Sequence, residues 1–458
     1  MKAVSWWRRA RFALLLAGFS SLAAATHAAT YYIAPGGSNS NPGTLSAPFA
    51  TLQKAHDVAN PGDTIYMRGG TYALNDSAVQ INRSGSSGNY ITVANYPGET
   101  PILDGIGITT SYRSAIQLSN ASWWHFHGLE IKNAAAMGIY LTGASNNNIV
   151  EQCVLHHNTR IQLSGAGIQI SNPAGNNLIV NNDAHHNGVY GSSGGDGIGN
   201  SSTSAGNVIR GNRVWRNNDD GIDLWGSQRA LVENNWSWEN GKKDDLTPSG
   251  GNGTGFKLGG GSTANGLHTI QNNLAWRNKN NGFDDNSANL TMNVFNNTSW
   301  DNGGRNYSFY TPIAFVLKNN LSFPSSFVYI PVSQVVQQNN SWNLAVTVDA
   351  SDFLSLDYSG ATGPRNADGT LPAISFLKLT ATSDLIGKGV NVGLPYSGSA
   401  PDLGAYEYGG SLPAPTGLKI VMQLCCSSWG RLPGAPGNGG VLLSEPGQTP
   451  PTRFSAAG

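Results

Sequence analysis

The decapeptide LVENNWSWEN, at residues 231–240, is one copy of a repeat that decides the fold of this chain. Each copy ends in Asn, carries Asn or Cys five residues before that end, and carries Trp or His two residues before it. Self-similarity of this kind indicates a solenoid of stacked coils. The other copies are IVEQCVLHHN at 149–158, LIVNNDAHHN at 178–187, VIRGNRVWRN at 208–217, TIQNNLAWRN at 269–278 and NVFNNTSWDN at 293–302.

The spacing between copies supports this interpretation. Asn212 and Asn235 are 23 residues apart, whereas Asn235 and Asn273 are 38 residues apart. A constant minimum spacing, with extra residues in some coils, is typical of a solenoid, because each coil needs a set length and longer loops bulge from one face. The repeats hold short alternating runs that are too brief and too rich in Asn for helices. We therefore predict an all-β fold, a single-stranded parallel β-helix.

Coils that stack about 4.8 Å apart should align equivalent side chains into ladders. In an internal Asn ladder each amide bonds its neighbours and the turn backbone, so few buried polar groups stay unpaired. An aromatic row adds apolar burial, and we interpret it as scaffold, although a metal site at its His residues and a sugar platform at its Trp residues are alternatives. The Asn register comprises Cys153, Asn182, Asn212, Asn235, Asn273, Asn297, Asn320 and Asn340. The aromatic row comprises His156, His185, Trp215, Trp238, Trp276 and Trp300.

The two ends of the chain differ from its middle. Residues 1–29 combine basic residues, an apolar stretch too short to span a bilayer, and small residues, as in a signal peptide, so we expect a secreted, extracellular protein. Residues 30–412 form the predicted β-helix domain, with a short capping helix at 51–59 and a closing strand at 399–409. Residues 413–458 are rich in Pro, Gly and Ser, which predicts a linker or disordered tail.

Composition excludes several classes of function. Lys and Arg together number 27, as do Asp and Glu, so the basic footprint of a nucleic-acid-binding protein is missing. The three cysteines, at 153, 425 and 426, form neither a disulfide framework nor a zinc pattern. We expect no nucleic acid and no membrane partner, and we expect a monomer.

A cluster of carboxylates appears when the coils are aligned on a Gly that precedes an apolar residue. The segments GGDG (194–197) and NDDGID (218–223) then place Asp196 beside Asp220, with Asp219 and Asp223 in the same coil as Asp220. Four carboxylates this close repel one another unless a cation lies between them. Ca²⁺ takes six to eight oxygen ligands, and no His or Cys cluster favours zinc. The pattern predicts a calcium site.

Lys257, in GFKLGG (255–260), lies one coil beyond Asp223. It could form an ion pair with Asp223 or Asp284. Alternatively it is a general base, because a calcium-bound substrate would lower the pKa of a nearby amine. The proton it would remove is the acidic one next to a uronate carboxylate, and loss of the 4-linked sugar would then complete a β-elimination.

The longest insertion between repeats, from Asn240 to Gly253, lies beside this cluster and contains Lys242 and Lys243. Loops of this kind often wall a binding groove. Either these two lysines bind substrate carboxylates, or the run is a solvated charged surface.

Taken together, the motifs GGDG, NDDGID and GFKLGG resemble those of family 9 of the polysaccharide lyases, in order and approximate spacing, over about residues 31–409. The resemblance implies a right-handed parallel β-helix with a large Asn ladder and a secreted, calcium-dependent lyase whose partner is an acidic polysaccharide, pectate (polygalacturonate). It also implies that Lys257 accepts the proton and that one Ca²⁺ is bound by Asp196, Asp219, Asp220 and Asp223.

Other functions fit parts of the same pattern. Related members of the family act on rhamnogalacturonan or other uronate polymers. A polygalacturonase-like glycoside hydrolase would use paired carboxylates and water, for which the Asp residues of NDDGID could serve. A non-catalytic carbohydrate-binding β-helix would use the cluster as a structural calcium site, and an alginate epimerase would share only the proton abstraction.

Overall fold

The computed structural model describes residues 28–162, 164–261 and 263–410 of the 458-residue chain. The predicted tail at 413–458 and all but the last two residues of the predicted signal peptide lie outside these ranges, so both stay predictions. No helix in the described part of the chain has the length and apolar character that a bilayer crossing requires.

From Thr64 onward the described chain winds through three parallel sheets, visiting each sheet once per coil, and neighbouring strands of a sheet come from successive coils. Thr30–Ile33 adds a further strand at the N-terminal end of one sheet. This order confirms the predicted all-β, single-stranded parallel β-helix. Sheet 1 has twelve strands: Thr30–Ile33, Thr64–Met67, Ile91–Asn95, Trp124–His127, Ile149–Glu151, Leu178–Val180, Val208–Arg210, Leu231–Glu233, Thr269–Gln271, Asn293–Phe295, Val316–Lys318 and Val336–Gln338. Sheet 2 has ten: Val79–Ile81, Ile116–Ser119, Ile139–Thr142, Ala166–Ser171, Asp196–Ser201, Ile222–Asp223, Phe256–Lys257, Phe283–Asp284, Tyr307–Ser308 and Val328–Tyr329. Sheet 3 has ten: Gly70–Asn75, Pro101–Gly107, Glu130–Lys132, Val154–His156, Asp183–His185, Arg213–Trp215, Trp236–Trp238, Leu274–Trp276, Thr298–Trp300 and Leu321–Phe323.

The Asn ladder occupies the turn between sheet 1 and sheet 3. In each repeat a residue with positive φ follows the sheet 1 strand, as at Asn234 (φ 57°), and the ladder Asn comes next. Asn tolerates this left-handed conformation better than most residues, which explains the Asn-Asn pairs of the sequence. Asn235 Nδ2 donates to Asn273 Oδ1 (3.0 Å) and to Ile209 O (2.9 Å). The predicted ladder is confirmed, and the amide-to-amide bonds run through Asn182, Asn212, Asn235, Asn273, Asn297, Asn320 and Asn340.

A second Asn ladder, at the repeat ends, is an unpredicted feature. It repeats the same turn after each sheet 3 strand, as at Glu239 (φ 53°) followed by Asn240. Its amide-to-amide bonds join Asn158, Asn187, Asn217, Asn240, Asn278 and Asn302.

The aromatic row lies on the outer face of sheet 3. The rings of Trp215, Trp238 and Trp276 stack with centroids 4.9 and 4.8 Å apart, and His185 stacks on Trp215 at 4.2 Å. The row packs in one apolar cluster with residues of the C-terminal segment, which we define as residues 339–410, including Phe376. The three indoles are buried, so the interpretation of this part of the row as scaffold is confirmed.

The predicted capping helix is confirmed as Leu52–Val58, with Thr51 as its N-cap. Two 3₁₀ helices, Ala350–Asp352 and Ser359–Thr362, follow the last strand. The prediction of a closing strand at 399–409 is wrong, because this segment forms turns. Its backbone donors bond residues of the β-helix surface, as Ala405 N does to Thr298 Oγ1 (2.9 Å), instead of extending a sheet.

Candidate active site

Successive side chains along each strand of sheet 2 point alternately into the core and outward, and this places the candidate site on the outside of the β-helix. Ile222 and Phe256 are fully buried in the core, so the residues that follow them, Asp223 and Lys257, point outward. Asp223 and Lys257 are paired in register on adjacent coils, and Lys257 is paired in turn with Asp284. The predicted alignment of coils on their Gly residues is therefore what the strands adopt.

Each of three buried carboxylates uses one oxygen to accept a hydrogen bond from the backbone of the next coil. Asp196 Oδ1 accepts from Asp220 N at 3.0 Å, and Asp220 Oδ1 accepts from Thr254 N at 2.7 Å. Asp219 Oδ1 accepts from Asn252 N. These bonds fix the three side chains on the coil edges. The second oxygens of Asp196 and Asp219 stay available to a ligand, whereas Asp220 Oδ2 lies 3.0 Å from Lys257 Nζ.

The same three residues, Asp196, Asp219 and Asp220, each offer an oxygen within 4.8 Å of the other two. We call them the acidic triad. Such a set of hard oxygen donors is suited to a cation of the Ca²⁺ type. The fourth predicted ligand, Asp223, is outside this group. Its Oδ1 accepts from Trp225 N (2.9 Å) and its Oδ2 from Lys257 Nζ (3.2 Å).

The electrostatics of the cluster also fit a cation. Burial and the charges of Asp223, Asp219 and Asp220 raise the pKa of Asp196 well above its usual value. Burial and the charge of Asp220 raise the pKa of Asp219 to about 7, and burial raises the pKa of Asp223 to about 6. The carboxylates therefore resist full ionisation near neutral pH unless positive charge is added.

Lys257 is the cation that the chain itself places at this cluster. Its Nζ lies 3.0 Å from Asp220 Oδ2 and 3.2 Å from Asp223 Oδ2, so the ion-pair alternative for this residue is observed with Asp223 but not with Asp284. Burial of the amine lowers the pKa of Lys257, but the charges of Asp223, Asp220 and Asp196 outweigh burial and raise it. In this arrangement the amine is charged, and it becomes a base only when that negative charge is offset.

Lys242 and Lys243 are placed apart from the cluster. Burial and the charge of Arg277 lower the pKa of Lys242, and neither lysine lines the cavity beside the acidic triad. The loop that carries them does contact the cluster, but through backbone groups such as Asn252 N.

A cavity of about 420 Å³ opens in front of the cluster. Its walls include Asp196, Asp219, Asp223 and Lys257, whereas Asp220 is fully buried behind them. Trp225, which is 51% exposed, also lines this cavity and was not predicted as a site residue. The sequence did contain a sign of this role, because Trp225 closely follows NDDGID and is out of register with the Trp row.

Comparison with known proteins places this geometry in a family. The model of the Pel9A-like family, described as a right-handed β-helix region, matches residues 31–320. Pectate lyase L of Dickeya chrysanthemi is 36% identical over 397 residues, which cover 82% of this chain and 90% of that protein.

Two solved structures are similar to this chain and support the same family. The crystal structure of pectate lyase Pel9A has a TM-score of 0.73 and 34% identity, and the match covers 83% of this chain and 96% of that chain. A rhamnogalacturonan lyase has a TM-score of 0.64 and 27% identity, and covers 77% and 96% respectively. The chain therefore belongs to the Pel9A-like right-handed β-helix family and is a polysaccharide lyase of family 9.

Proposed function

We propose that this protein is a secreted, calcium-dependent lyase that cleaves pectate by β-elimination, with Lys257 as the Brønsted base. The observation that carries the proposal is the position of Lys257 Nζ, 3.0 Å from Asp220 and 3.2 Å from Asp223, in the wall of a cavity shared with Asp196 and Asp219. The names of the relatives support pectate as the substrate.

The residues that would hold Ca²⁺ are Asp196, Asp219 and Asp220, with Asp223 joining them if Lys257 releases it. Their fit rests on the second oxygens of Asp196 and Asp219, which are available, and on Asp220 Oδ2, which becomes available when Lys257 releases it. Bound Ca²⁺ would supply positive charge that acidifies the proton next to a uronate carboxylate and offsets the charge of the aspartates.

Lys257 would then act as a neutral amine. Its Nζ takes the proton from C5 of the galacturonate, and the C5–H electron pair forms the C4–C5 double bond. The C4–O4 bond breaks with its electron pair going to O4, which takes up a proton from solvent as the preceding part of the polymer leaves. No water is consumed, so the new end is unsaturated. Because the aspartates favour the charged amine, activity should rise toward alkaline pH.

The test is turnover of polygalacturonate, followed by the ultraviolet absorbance of the unsaturated product, with added Ca²⁺ and with chelator. Removal of a general base typically costs about 10²- to 10⁴-fold in rate, so Lys257→Ala should lose at least a hundredfold. Lys318→Ala, which removes a lysine from sheet 1, is the matched control and should keep wild-type turnover. Wild-type rates in Lys257→Ala, or in chelator, would refute the proposal, and products without the double bond would indicate a hydrolase instead.

A second candidate substrate is rhamnogalacturonan, which the similarity to a solved rhamnogalacturonan lyase supports. The same assay run on both polymers decides between them, because the substrate is the polymer with the higher kcat/KM. The proposed chemistry is identical for both, since each polymer carries a 4-linked galacturonate.

Secretion and the monomeric state belong to the same proposal. Secretion is supported by the basic and apolar pattern of residues 1–29. N-terminal sequencing of the protein from culture medium should find a chain that starts near residue 29 or 30, and light scattering should give the mass of one chain.

A further inference from the structure

Trp225 is the large exposed aromatic side chain at the cavity. Its indole ring lies 5.1 Å from Lys257 Nζ, measured to the ring centroid, and half of the residue is exposed. Two other tryptophans of this coil and the next, Trp215 and Trp238, are buried in the outer face of sheet 3. Trp225 thus has no packing role comparable to theirs.

The indole is nevertheless held in one place. Trp225 N donates to Asp223 Oδ1 (2.9 Å), and the next residue, Gly226, donates its N–H to Gly260 O (3.0 Å). The indole lies directly against the backbone of Gly260, since a Cβ there would come within 2.4 Å of the ring atom Cε3. Only glycine permits this close approach, and the ring is therefore a preformed flat surface.

We propose that Trp225 is a positioning residue that stacks on the apolar face of the uronate ring and turns its C5 proton toward Lys257. The inference rests on the proposed lyase function and deepens it, because it names a residue that orients the substrate. A cation and a flat aromatic surface next to each other match a sugar that is apolar on one face and acidic at one edge.

The stereochemistry of galacturonate supports this orientation. The hydrogens on C3, C4 and C5 lie on one side of the pyranose ring, and the axial O4 lies on the other. When the hydrogen-bearing side faces the indole, the C5 proton points to the side of the ring where Lys257 Nζ lies, and the leaving O4 points away from the base. Proton removal and departure of O4 then take place on opposite sides of the sugar.

Trp225→Ala and Trp225→Phe test the role. Loss of the stacking surface should lower kcat/KM roughly tenfold or more in Trp225→Ala, corresponding to a stacking contact of about 1.4 kcal/mol. Part of this loss should appear in kcat, because orientation and affinity both suffer. Trp225→Phe keeps a flat ring and should stay within about threefold of wild type. Tyr408→Ala, which removes an exposed aromatic residue that does not line the cavity, is the matched control and should change nothing.

A kcat/KM for Trp225→Ala within about twofold of wild type would overturn the inference. So would a Phe variant as impaired as the Ala variant together with a lower unfolding temperature, which is the signature of a structural role.

A separate binding measurement keeps this inference distinct from the lyase proposal. In Lys257→Ala protein, affinity electrophoresis on polygalacturonate and rhamnogalacturonan should show weaker retention when Trp225→Ala is added. If the wild type binds a polymer but cleaves neither by elimination, the lyase proposal fails, and the effect of Trp225→Ala on retention alone decides whether Trp225 binds sugar. If the wild type binds neither polymer, the lyase proposal and the inference on Trp225 both fail.

Discussion

At the scale of single residues, the carboxylates of the acidic triad serve both the fold and the site. One oxygen of each accepts a hydrogen bond from the next coil. The other is available for a ligand in Asp196 and Asp219, and in Asp220 it contacts Lys257. An amide in place of the carboxylate would preserve the first role and weaken the second, because Asn retains a neutral oxygen but loses the charge.

The first prediction follows from this division. Asp196→Asn should lower the affinity for Ca²⁺ roughly hundredfold, as expected when a charged ligand is lost. In chelator its unfolding temperature should not fall, because Asn keeps an oxygen for the hydrogen bond from Asp220 N and removes a carboxyl group that burial keeps from ionising. Isothermal titration calorimetry with Ca²⁺ measures the affinity. The control is Asp284→Asn, since Asp284 lies two coils beyond Asp220, outside the triad, and accepts a hydrogen bond from Asn286 N. Equal affinities for the two variants would contradict the assignment of the triad.

The second prediction concerns pH. Burial and the charge of Asp220 raise the pKa of Asp219 to about 7 from an ordinary value of 3.8, so the metal-free folded state holds a proton that the unfolded state releases. The contribution of Asp219 to stability is therefore complete below about pH 4 and is lost as the pH rises to about 7 and beyond. An Asn at this position does not titrate and avoids the loss.

Urea denaturation of wild type and Asp219→Asn between pH 4 and pH 8 measures this effect. In chelator, the variant should become the more stable protein as the pH rises, whereas in Ca²⁺ at pH 8 the wild type should be the more stable, because only it keeps the full ligand set. A stability difference that is independent of pH would show that the carboxyl group of Asp219 has an ordinary pKa. Comparing the two proteins cancels the opposite contribution of buried histidines such as His185.

At the scale of elements, the turns hold the sheets together. Each turn pairs one residue of positive φ with one ladder Asn, so the backbone changes direction in two residues and the amide then satisfies the polar groups that the turn exposes to the core. This is why the predicted ladder and the unpredicted second ladder share one local sequence pattern, despite lying at different corners of the coil.

The third prediction is that Asn235→Ala destabilises the protein by about 3 kcal/mol. The change leaves Ile209 O and Asn212 N without their hydrogen-bond partner, and each buried unsatisfied group costs about 1–3 kcal/mol. Urea denaturation measures the free energy of unfolding. Asn293→Ala is the matched control in sheet 1, because Asn293 is exposed, and it should change stability by less than about 0.5 kcal/mol. Similar effects of the two changes would mean that the ladder does not stabilise the fold.

At the scale of the described domain, the C-terminal segment protects the aromatic row. Trp238 and Trp276 share an apolar cluster with Phe376, Leu403 and Tyr406, so residues beyond the last strand bury surface that the β-helix alone would expose to water. The segment achieves this by docking on a sheet face, not by adding a strand.

The fourth prediction tests this cover. A chain that ends at residue 343 should lose roughly 5 kcal/mol or more of stability, because several large apolar side chains lose burial worth about 1.5–3 kcal/mol each. Thermal unfolding and the emission wavelength of Trp fluorescence measure the loss. A chain that ends at residue 412 keeps the cluster and should unfold like the full-length protein, with the same activity. An unchanged unfolding temperature for the shorter chain would show that the segment does not stabilise the β-helix.

The sequence alone determined the coil architecture, the first Asn ladder, the capping helix and the candidate set of Asp196, Asp219, Asp220, Asp223 and Lys257. This was possible because coils stack in register, so residues at equivalent positions of a repeat become neighbours whatever the rest of the chain does. The spacing of the repeats in the sequence therefore indicates which residues become neighbours in the folded chain.

Only the tertiary structure decided which oxygens converge, that Asp223 pairs with Lys257, that Trp225 stands at the cavity, and that residues 399–409 dock on a sheet face. These outcomes depend on rotamers and on loops of irregular length. The path of such a loop is set by the surface it packs against, which periodicity does not encode. For the same reason Lys242 and Lys243, close to the site in sequence, lie away from its cavity.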